Sequence, residues 1–387
     1  MKFIDLFSGL GGFHLALSRL GHECVFACEI NPELRKVYKA NFGIEPAPDI
    51  RDVDLKSIPD HDILCAGFPC QPFSTAGLKL GLNCPRNGTL IEFVASAIAT
   101  KRPRYFMLEN VKGLLGNDKG RTFRTIMDSL ARLGYYIRYA VLSPHEIGVP
   151  QYRPRVFIVG DREDPSGVTW PLTSLSPGNL DDYLGDPGPD ITPMGATMIR
   201  ALEAWTELVA IVSKDREWSN GILLRSIFDR PDDEALHADL VRKGWCTLLR
   251  IATLRSILRR NEWAIKRWVR RTGDLSSIYT KLEWHCTCPD TSLKAHLVHV
   301  RASGIRVLQK GLHPTITACG PSRTPAIPLE ERHVSPVEVA RLQGFETLEH
   351  LPESVGARYR AIGNAVNVHL IEEIGRGLGG GPSGLFA

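Results

Sequence analysis

Residues 1–160 alternate short apolar runs with helical patterns, and that alternation predicts an α/β protein with a doubly wound, mostly parallel sheet covered by helices on both faces. The expected strands are 2–6, 23–28, 62–66, 104–108, 136–142 and 155–160, with helical stretches near 12–20, 32–41, 89–100 and 120–132 between them. A glycine-rich turn, Ser8-Gly9-Leu10-Gly11-Gly12, joins the first strand to the first helix, and Glu29 ends the second strand. In such sheets ligands bind at the carboxyl ends of the strands, so motifs there take priority.

The composition shifts near 163–195, where Asp164-Pro165-Ser166-Gly167, Ser176-Pro177-Gly178 and Gly185-Asp186-Pro187-Gly188-Pro189 read as loops. A boundary near 170 follows. The large domain is expected to take residues 1–170 and 356–387, and a smaller domain residues 171–355. Within the latter, 195–275 read as mainly helical and 280–330 as irregular with short strands.

The chain has 387 residues, 43% hydrophobic and 23% charged, with a net charge of +4, which suits a globular protein with a real core. The charge is unevenly placed. Residues 240–272 carry ten Lys or Arg against one acid, Glu262, so a local patch facing a polyanion competes with a merely solvated helix face. Nine cysteines, several in apolar strand-like runs such as Cys24 to Cys28, fit a reducing compartment where buried thiols act as small hydrophobes. The first residues run straight into a strand and no membrane-length apolar segment occurs, so a soluble, cytoplasmic protein is expected, with no membrane partner.

The chemistry-bearing candidates lie at strand ends. Glu29 stands where an acid commonly holds the two hydroxyls of a ribose, so the glycine turn suits a nucleoside-bearing cofactor better than a dinucleotide. Cys70 follows the third strand in the loop Gly67-Phe68-Pro69-Cys70-Gln71-Pro72-Phe73-Ser74. A cysteine on an apolar strand is usually structural, as expected for Cys65; Cys70 lies past the strand, beside polar groups, where a thiolate nucleophile would sit. Glu109 ends the fourth strand and reads either as a cap or ion-pair partner, or as a protonated, hydrogen-bonding acid.

Taken in order, the turn from Asp5 to Gly12, Glu29, Asp49-Ile50, Pro69-Cys70-Gln71, Glu109-Asn110-Val111, Gln151-Tyr152-Arg153-Pro154-Arg155, Ala340-Arg341-Leu342-Gln343-Gly344-Phe345 and Gly363-Asn364-Ala365-Val366 resemble the DNA cytosine-5 methyltransferase family of bacterial restriction–modification systems. The resemblance covers most of 1–163 and 303–378. It implies a Rossmann-like large domain dependent on S-adenosylmethionine and a smaller target-recognition domain. It implies a cofactor pocket of Phe7, Leu10, Gly12, Glu29, Ile30, Asp49, Ile50, Pro69, Leu90, Asn364 and Val366. Cys70 would attack C6 of a flipped-out cytosine, Glu109 would hold N3 and the exocyclic amine, Arg155 would grip the base and Arg153 would support the neighbouring backbone. Departures fall at 83–90, where one extra residue follows Arg86 relative to the family run, and at Val337-Glu338, where the family often has Arg-Glu.

Duplex DNA is the implied partner, with Gln71 and Ser74 beside the nucleophile and Arg255, Arg259, Arg260, Lys266 and Arg267 of the amphipathic stretch 248–271 toward phosphate. A monomer and a cognate restriction endonuclease acting on the same site are expected. A tRNA cytosine-5 methyltransferase is the alternative; that branch usually reads Pro-Pro-Cys-Gln-Pro-Phe-Thr, against Phe68-Pro69-Cys70-Gln71-Pro72-Phe73-Ser74 here. No metal is assigned: His285-Cys286-Thr287-Cys288 is too tightly spaced for the usual zinc pattern.

Overall fold

The computed structural model describes residues 1–68, 90–171, 176–215, 221–284, 286, 292–318 and 320–379. They fall into two compact units, one of residues 1–179, 314–318 and 337–387 and one of residues 180–313 and 319–336. Segments 314–318 and 337–355, which the sequence groups with the smaller domain, therefore pack with the larger one. Among the described residues no helix is long and apolar enough to cross a membrane.

The first unit opens with β1 (Lys2–Leu6), α1 (Gly12–Arg19), β2 (Glu23–Cys28), α2 (Pro32–Phe42), β3 (Ile63–Gly67), α3 (Leu90–Lys101), β4 (Tyr105–Val111), α4 (Arg121–Ala131), β5 (Tyr136–Leu142) and β6 (Arg155–Asp161). The sheet runs β2-β1-β3-β4-β6-β5. β1 pairs in parallel with both β2 and β3, and β3 with β4, while β6 runs antiparallel to β4 and β5. The chain leaves β1 on one side for β2 and on the other for β3. The carboxyl ends of β1 and β3 thus form the switch point where a crevice opens.

Alternation along the strands decides which helices cover which face. Ile4, Leu6, Leu64, Ala66, Phe106, Leu108, Val156 and Ile158 share one buried cluster with α3 and α4. On the other face Phe3 meets His14 of α1 edge-on at 5.7 Å. Local signals fix the helix ends. Asn31 caps α2 by accepting from the Glu33 and Leu34 amides at 2.9 and 3.2 Å, Pro32 takes the first helical position, and Gly43 closes the helix at φ 73°.

β4 extends three residues beyond the stretch 104–108 expected from hydropathy. Its last residues pair with the start of β6, Glu109 opposite Phe157, Asn110 opposite Val156 and Val111 opposite Arg155. Polar residues are kept in the strand by a ladder that local composition does not reveal.

The second unit contains α5 (Ala196–Val212), β7 (Gly221–Leu224), α6 (Arg225–Asp229), α7 (Glu234–Arg242), α8 (Leu248–Arg260), α9 (Glu262–Arg271), β8 (Lys281–Trp284), β9 (Val298–Arg301), β10 (Gly304–Val307), β11 (Ala326–Ile327) and β12 (Arg332–His333). The stretch expected to be irregular with short strands supplies most of a six-stranded sheet, β12-β11-β9-β10-β8-β7. Its strands have two to four residues each, too short to give a hydropathy signal. Leu223, Leu282, Trp284, Val298, Ile305 and Val307 pack with the helices around Trp205 and Trp268, whose rings lie 4.8 Å apart. Both indoles are satisfied, donating to the Tyr279 and Ala204 carbonyls.

The chain then forms α10 (Pro336–Gln343), α11 (Val355–Asn364) and α12 (Val368–Arg376). α12 lies against α1, and a side chain at Gly375 would meet Leu17 and Leu20 at 3.0 and 2.8 Å.

Gly160 of β6 pairs with Phe106 of β4, whose ring covers it; an added Cβ would lie 2.2 Å from the ring. Gly160→Ala is expected to cost about 1–3 kcal/mol by overpacking. Urea unfolding followed by circular dichroism should show a lower midpoint with an unchanged slope.

Candidate active site

A cavity of about 520 Å³ opens at the carboxyl ends of β1, β3 and β4, the position the sheet order dictates. Its lining brings together Phe7, Gly12, Glu29, Ile30, Glu109, Arg153, Arg155, Asn364 and Val366. These nine sequence candidates come from five separated stretches of the chain.

One end of the cavity is built by the turn after β1. Phe7 adopts φ 59° and Gly11 φ 83°, left-handed conformations that reverse the chain immediately after the strand. For Phe7 this costs on the order of 1–2 kcal/mol, a strain of the kind concentrated at functional sites. At Gly11 a side chain would also strike the Phe42 ring at 2.3 Å. The turn aims the Gly9 amide at Glu29 Oε2, to which it donates at 2.9 Å, while the Asn31 amide donates to Oε1 at 2.7 Å. Both carboxylate oxygens are thereby fixed at the cavity wall, each with lone-pair capacity left for a hydroxyl donor. Ile30 beside it is 63% exposed, an apolar surface that a planar ring could cover.

The other end holds the polar machinery. Arg155 Nε and Glu109 Oε1 form an ion pair at 3.1 Å. The strand register explains the pair: Arg155 lies opposite Val111, diagonal to Glu109 on the same face. Burial raises the Glu109 pKa, and the nearby charges of Arg155 and Arg153 only partly counter it. The carboxyl group therefore keeps its proton to higher pH than an exposed glutamate.

Arg153 is 2% exposed and donates to three carbonyls, Ile316 at 2.9 Å, Gly363 at 3.0 Å and Ala365 at 2.8 Å. It ties the cavity wall at 363–365 to the segment after β5. Burial lowers its pKa to about 9, with the neighbouring Arg155 contributing, which still leaves it charged at neutral pH.

Asn110 received no role from the sequence, yet it is buried and donates from Nδ2 to the Phe68 carbonyl at 3.0 Å. Its Oδ1 accepts from the Val111 amide at 2.8 Å. It thus clamps the end of β4 to the residues leading into the Cys70 loop. A polar side chain inside an apolar strand run was the available signal.

Pro69, Cys70, Gln71 and Ser74 lie outside the described residues. Among the described residues, Cys28 and Cys65 at this end of the sheet are unsuited to nucleophilic work. Burial pushes the Cys28 thiol up to about 12 and raises that of Cys65 well above its ordinary value. Leu10, Asp49, Ile50 and Leu90 do not line the cavity. Leu10 and Ile50 are buried core residues, and the Asp49 carboxylate binds Arg51 at 2.9 and 3.0 Å.

The basic helices belong to the second unit. Arg255 pairs with Asp232, Arg260 with Asp215, Lys266 with Glu262 and Arg271 with Glu207. Three of these acids lie outside the basic stretch and offset part of its surplus. Arg259 and Arg267 are exposed, and Arg267 lies 5.6 Å above the Trp263 ring.

Comparison with known proteins agrees with this architecture. The chain is 50% identical over 159 residues to the type II methyltransferase M.NgoBI of Neisseria gonorrhoeae, covering 41% of this chain and 50% of that protein. It is 43% identical over 164 residues to M.HhaI of Haemophilus parahaemolyticus, covering 42% and 50%. The chain spans about half the length of the curated relatives it matches. Among solved structures, a DNMT2 mutant from Spodoptera frugiperda superposes with a TM-score of 0.52 at 20% identity, covering 96% of this chain and 97% of that one. The Entamoeba histolytica methyltransferase EhMeth gives 0.55 at 15% identity, covering 98% and 97%. These structures share the fold. The sequence profile described as C-5 cytosine-specific DNA methylase matches residues 1–380, and the chain belongs to that family.

Proposed function

We propose that the protein transfers a methyl group from S-adenosylmethionine to C5 of a flipped-out cytosine in a specific duplex DNA sequence, as the modification enzyme of a restriction–modification system. The observation that carries this reading is the single cavity in which a doubly anchored Glu29 and the buried Glu109–Arg155 pair face a common space. The large unit would be catalytic and the second unit would recognise the target.

The residues present fit the cofactor. The Glu29 carboxylate would accept from the two ribose hydroxyls, Ile30 would cover the adenine, and Phe7, Gly12, Asn364 and Val366 would enclose the rest. When bound, the cofactor supplies an electrophilic sulfonium methyl group.

The remaining chemistry is a division of labour among side chains. C5 of cytosine is a poor nucleophile while the ring is aromatic. The Cys70 thiolate adds to C6, forming an S–C6 bond. The developing negative charge at N3 is met by the proton of Glu109, which its burial helps retain. C5 becomes enamine-like and takes the methyl group. Loss of the C5 proton to a base then expels Cys70, the N3 proton returns to the Glu109 carboxylate and the aromatic ring is restored, so one hard step becomes several easier ones. Arg155 holds Glu109 in place and presents its remaining donors to the base, while Arg153 supports the wall behind it. Extrusion of the base costs a few kcal/mol, which contacts to the emptied duplex must offset.

Purified protein incubated with labelled cofactor and either duplex DNA or tRNA should label the DNA; labelling of tRNA alone would overturn the reading. Cys70→Ala should abolish turnover while DNA binding persists, as measured by filter binding. A duplex containing 5-fluorocytosine should form a covalent complex visible on denaturing gels, because fluorine cannot leave as a proton does.

Glu109→Gln should lower turnover by about 10²–10⁴-fold, the range typical of a lost general acid. The wild-type pH–rate profile should decline on the alkaline side as the raised carboxyl ionises. The Gln variant, which has no such proton, should lose that limb.

A further inference from the structure

The sheet of the second unit has one apolar and one charged face. Leu282, Trp284, Val298, Ile305 and Val307 enter the core. Alternation sends Lys281, Glu283, Arg301 and Arg306 to the opposite face. There Glu283, 5% exposed, accepts from Lys281 Nζ at 2.8 Å on Oε1, and on Oε2 from Arg301 Nη2 at 2.6 Å and Arg306 Nε and Nη2 at 2.9 and 2.8 Å.

We propose that this face reads guanine in the DNA target, with Arg306 setting base choice and Glu283 positioning it. The inference rests on the DNA reading proposed above.

Three features carry it. The first is charge: three cations, Lys281, Arg301 and Arg306, share the single Glu283 carboxylate. The face therefore keeps a local surplus complementary to a polyanion. Burial of Glu283 works against ionisation, but hydrogen bonds from Lys281 and Arg306 and the surrounding positive charge lower its pKa to about 2, so it is ionised at neutral pH.

The second feature is donor arithmetic. A guanidinium has five N–H donors in a rigid plane. Glu283 engages the Nε proton and one on Nη2 of Arg306, leaving both protons on Nη1 and one on Nη2 at the outer edge. Those two adjacent nitrogens have the geometry that meets O6 and N7 of guanine. The third is access. The Arg306 side chain is 37% exposed and Arg301 29%, whereas Lys281 is 8% exposed and held 4.5 Å from the Trp245 ring. Arg306 is thus pre-oriented from behind and open in front, which lowers the ordering cost of a specific contact.

The test uses the full chain and a randomised pool of duplex DNA, reading methylated cytosines by bisulfite sequencing. Wild-type enzyme should methylate a context containing a required guanine. Arg306→Lys keeps the charge but loses the planar fork. It should reduce the preference for guanine at one position by on the order of tenfold or more, with an unchanged melting temperature. Glu283→Gln should relax the same position. An Arg306→Lys enzyme that retains the wild-type context, or that loses rate equally in every context, would overturn the inference. Wild-type enzyme that methylates no duplex would instead overturn the proposed function, and this inference with it.

Discussion

The cavity of the large unit depends on one buried guanidinium. Gly363 and Ala365 lie at the carboxyl end of α11, where carbonyls have no partner within the helix and carry the negative end of its dipole. Arg153 supplies donors to both and reaches the Ile316 carbonyl as well. Gln343 adds a donor to the Ile362 carbonyl at 3.0 Å. Two side chains thus satisfy a helix end that water would otherwise have to solvate, inside a wall that must exclude it. Gly363 allows this junction to close: a Cβ there would lie 2.7 Å from the Thr317 carbonyl. Asn364 and Val366 face the cavity because the residues between and beside them are pinned.

That anchorage also explains how two arginines two residues apart differ. Both carry positive charge close to Glu109. Arg153 spends its donors on main-chain carbonyls, so its effect on Glu109 is electrostatic. Arg155 forms the direct contact. Breaking a buried pair by removing one partner typically costs about 3–5 kcal/mol, because the remaining charge is stranded. The net result is a carboxyl group raised by burial yet not freed from its cationic neighbours. Such a group can give a proton and regain it without leaving the site.

Much of this was legible in the sequence, and what was not has a common cause. The six strands of the first sheet are apolar runs bounded by breakers, and their positions follow from hydropathy. Glu109, Arg153 and Arg155 are recognisable by motif. The geometry that joins them is not, because it depends on an antiparallel register and on carbonyls 163 to 212 residues away from Arg153. Leu10 and Ile50 show the converse limit: an apolar residue within a motif can line a pocket or support it from behind, and the sequence does not distinguish the two. The basic stretch at 240–272 shows a third. Its surplus is real along the chain, but Asp215, Asp232 and Glu207 return in space to offset part of it.

The same accounting separates the two charged regions of the second unit. The ion pairs of α8 and α9 whose acids are exposed, Asp232, Glu262 and Glu207, contribute little, about 0–1 kcal/mol each, and can exchange partners with phosphate at small cost. The Glu283 cluster is different, because its carboxylate is withdrawn from water and surrounded by more positive charge than it can balance. Stability alone gives no reason for that arrangement. Apolar side chains of similar volume would often serve the sheet as well or better, and three cations around one anion repel one another. What the carboxylate does achieve is orientation: it fixes the inner edge of the Arg306 plane and leaves the outer edge to a ligand. A site built only to hold charge would not need a planar fork held at two of its nitrogens, since a flexible lysine would do; a site that must tell one base edge from another does.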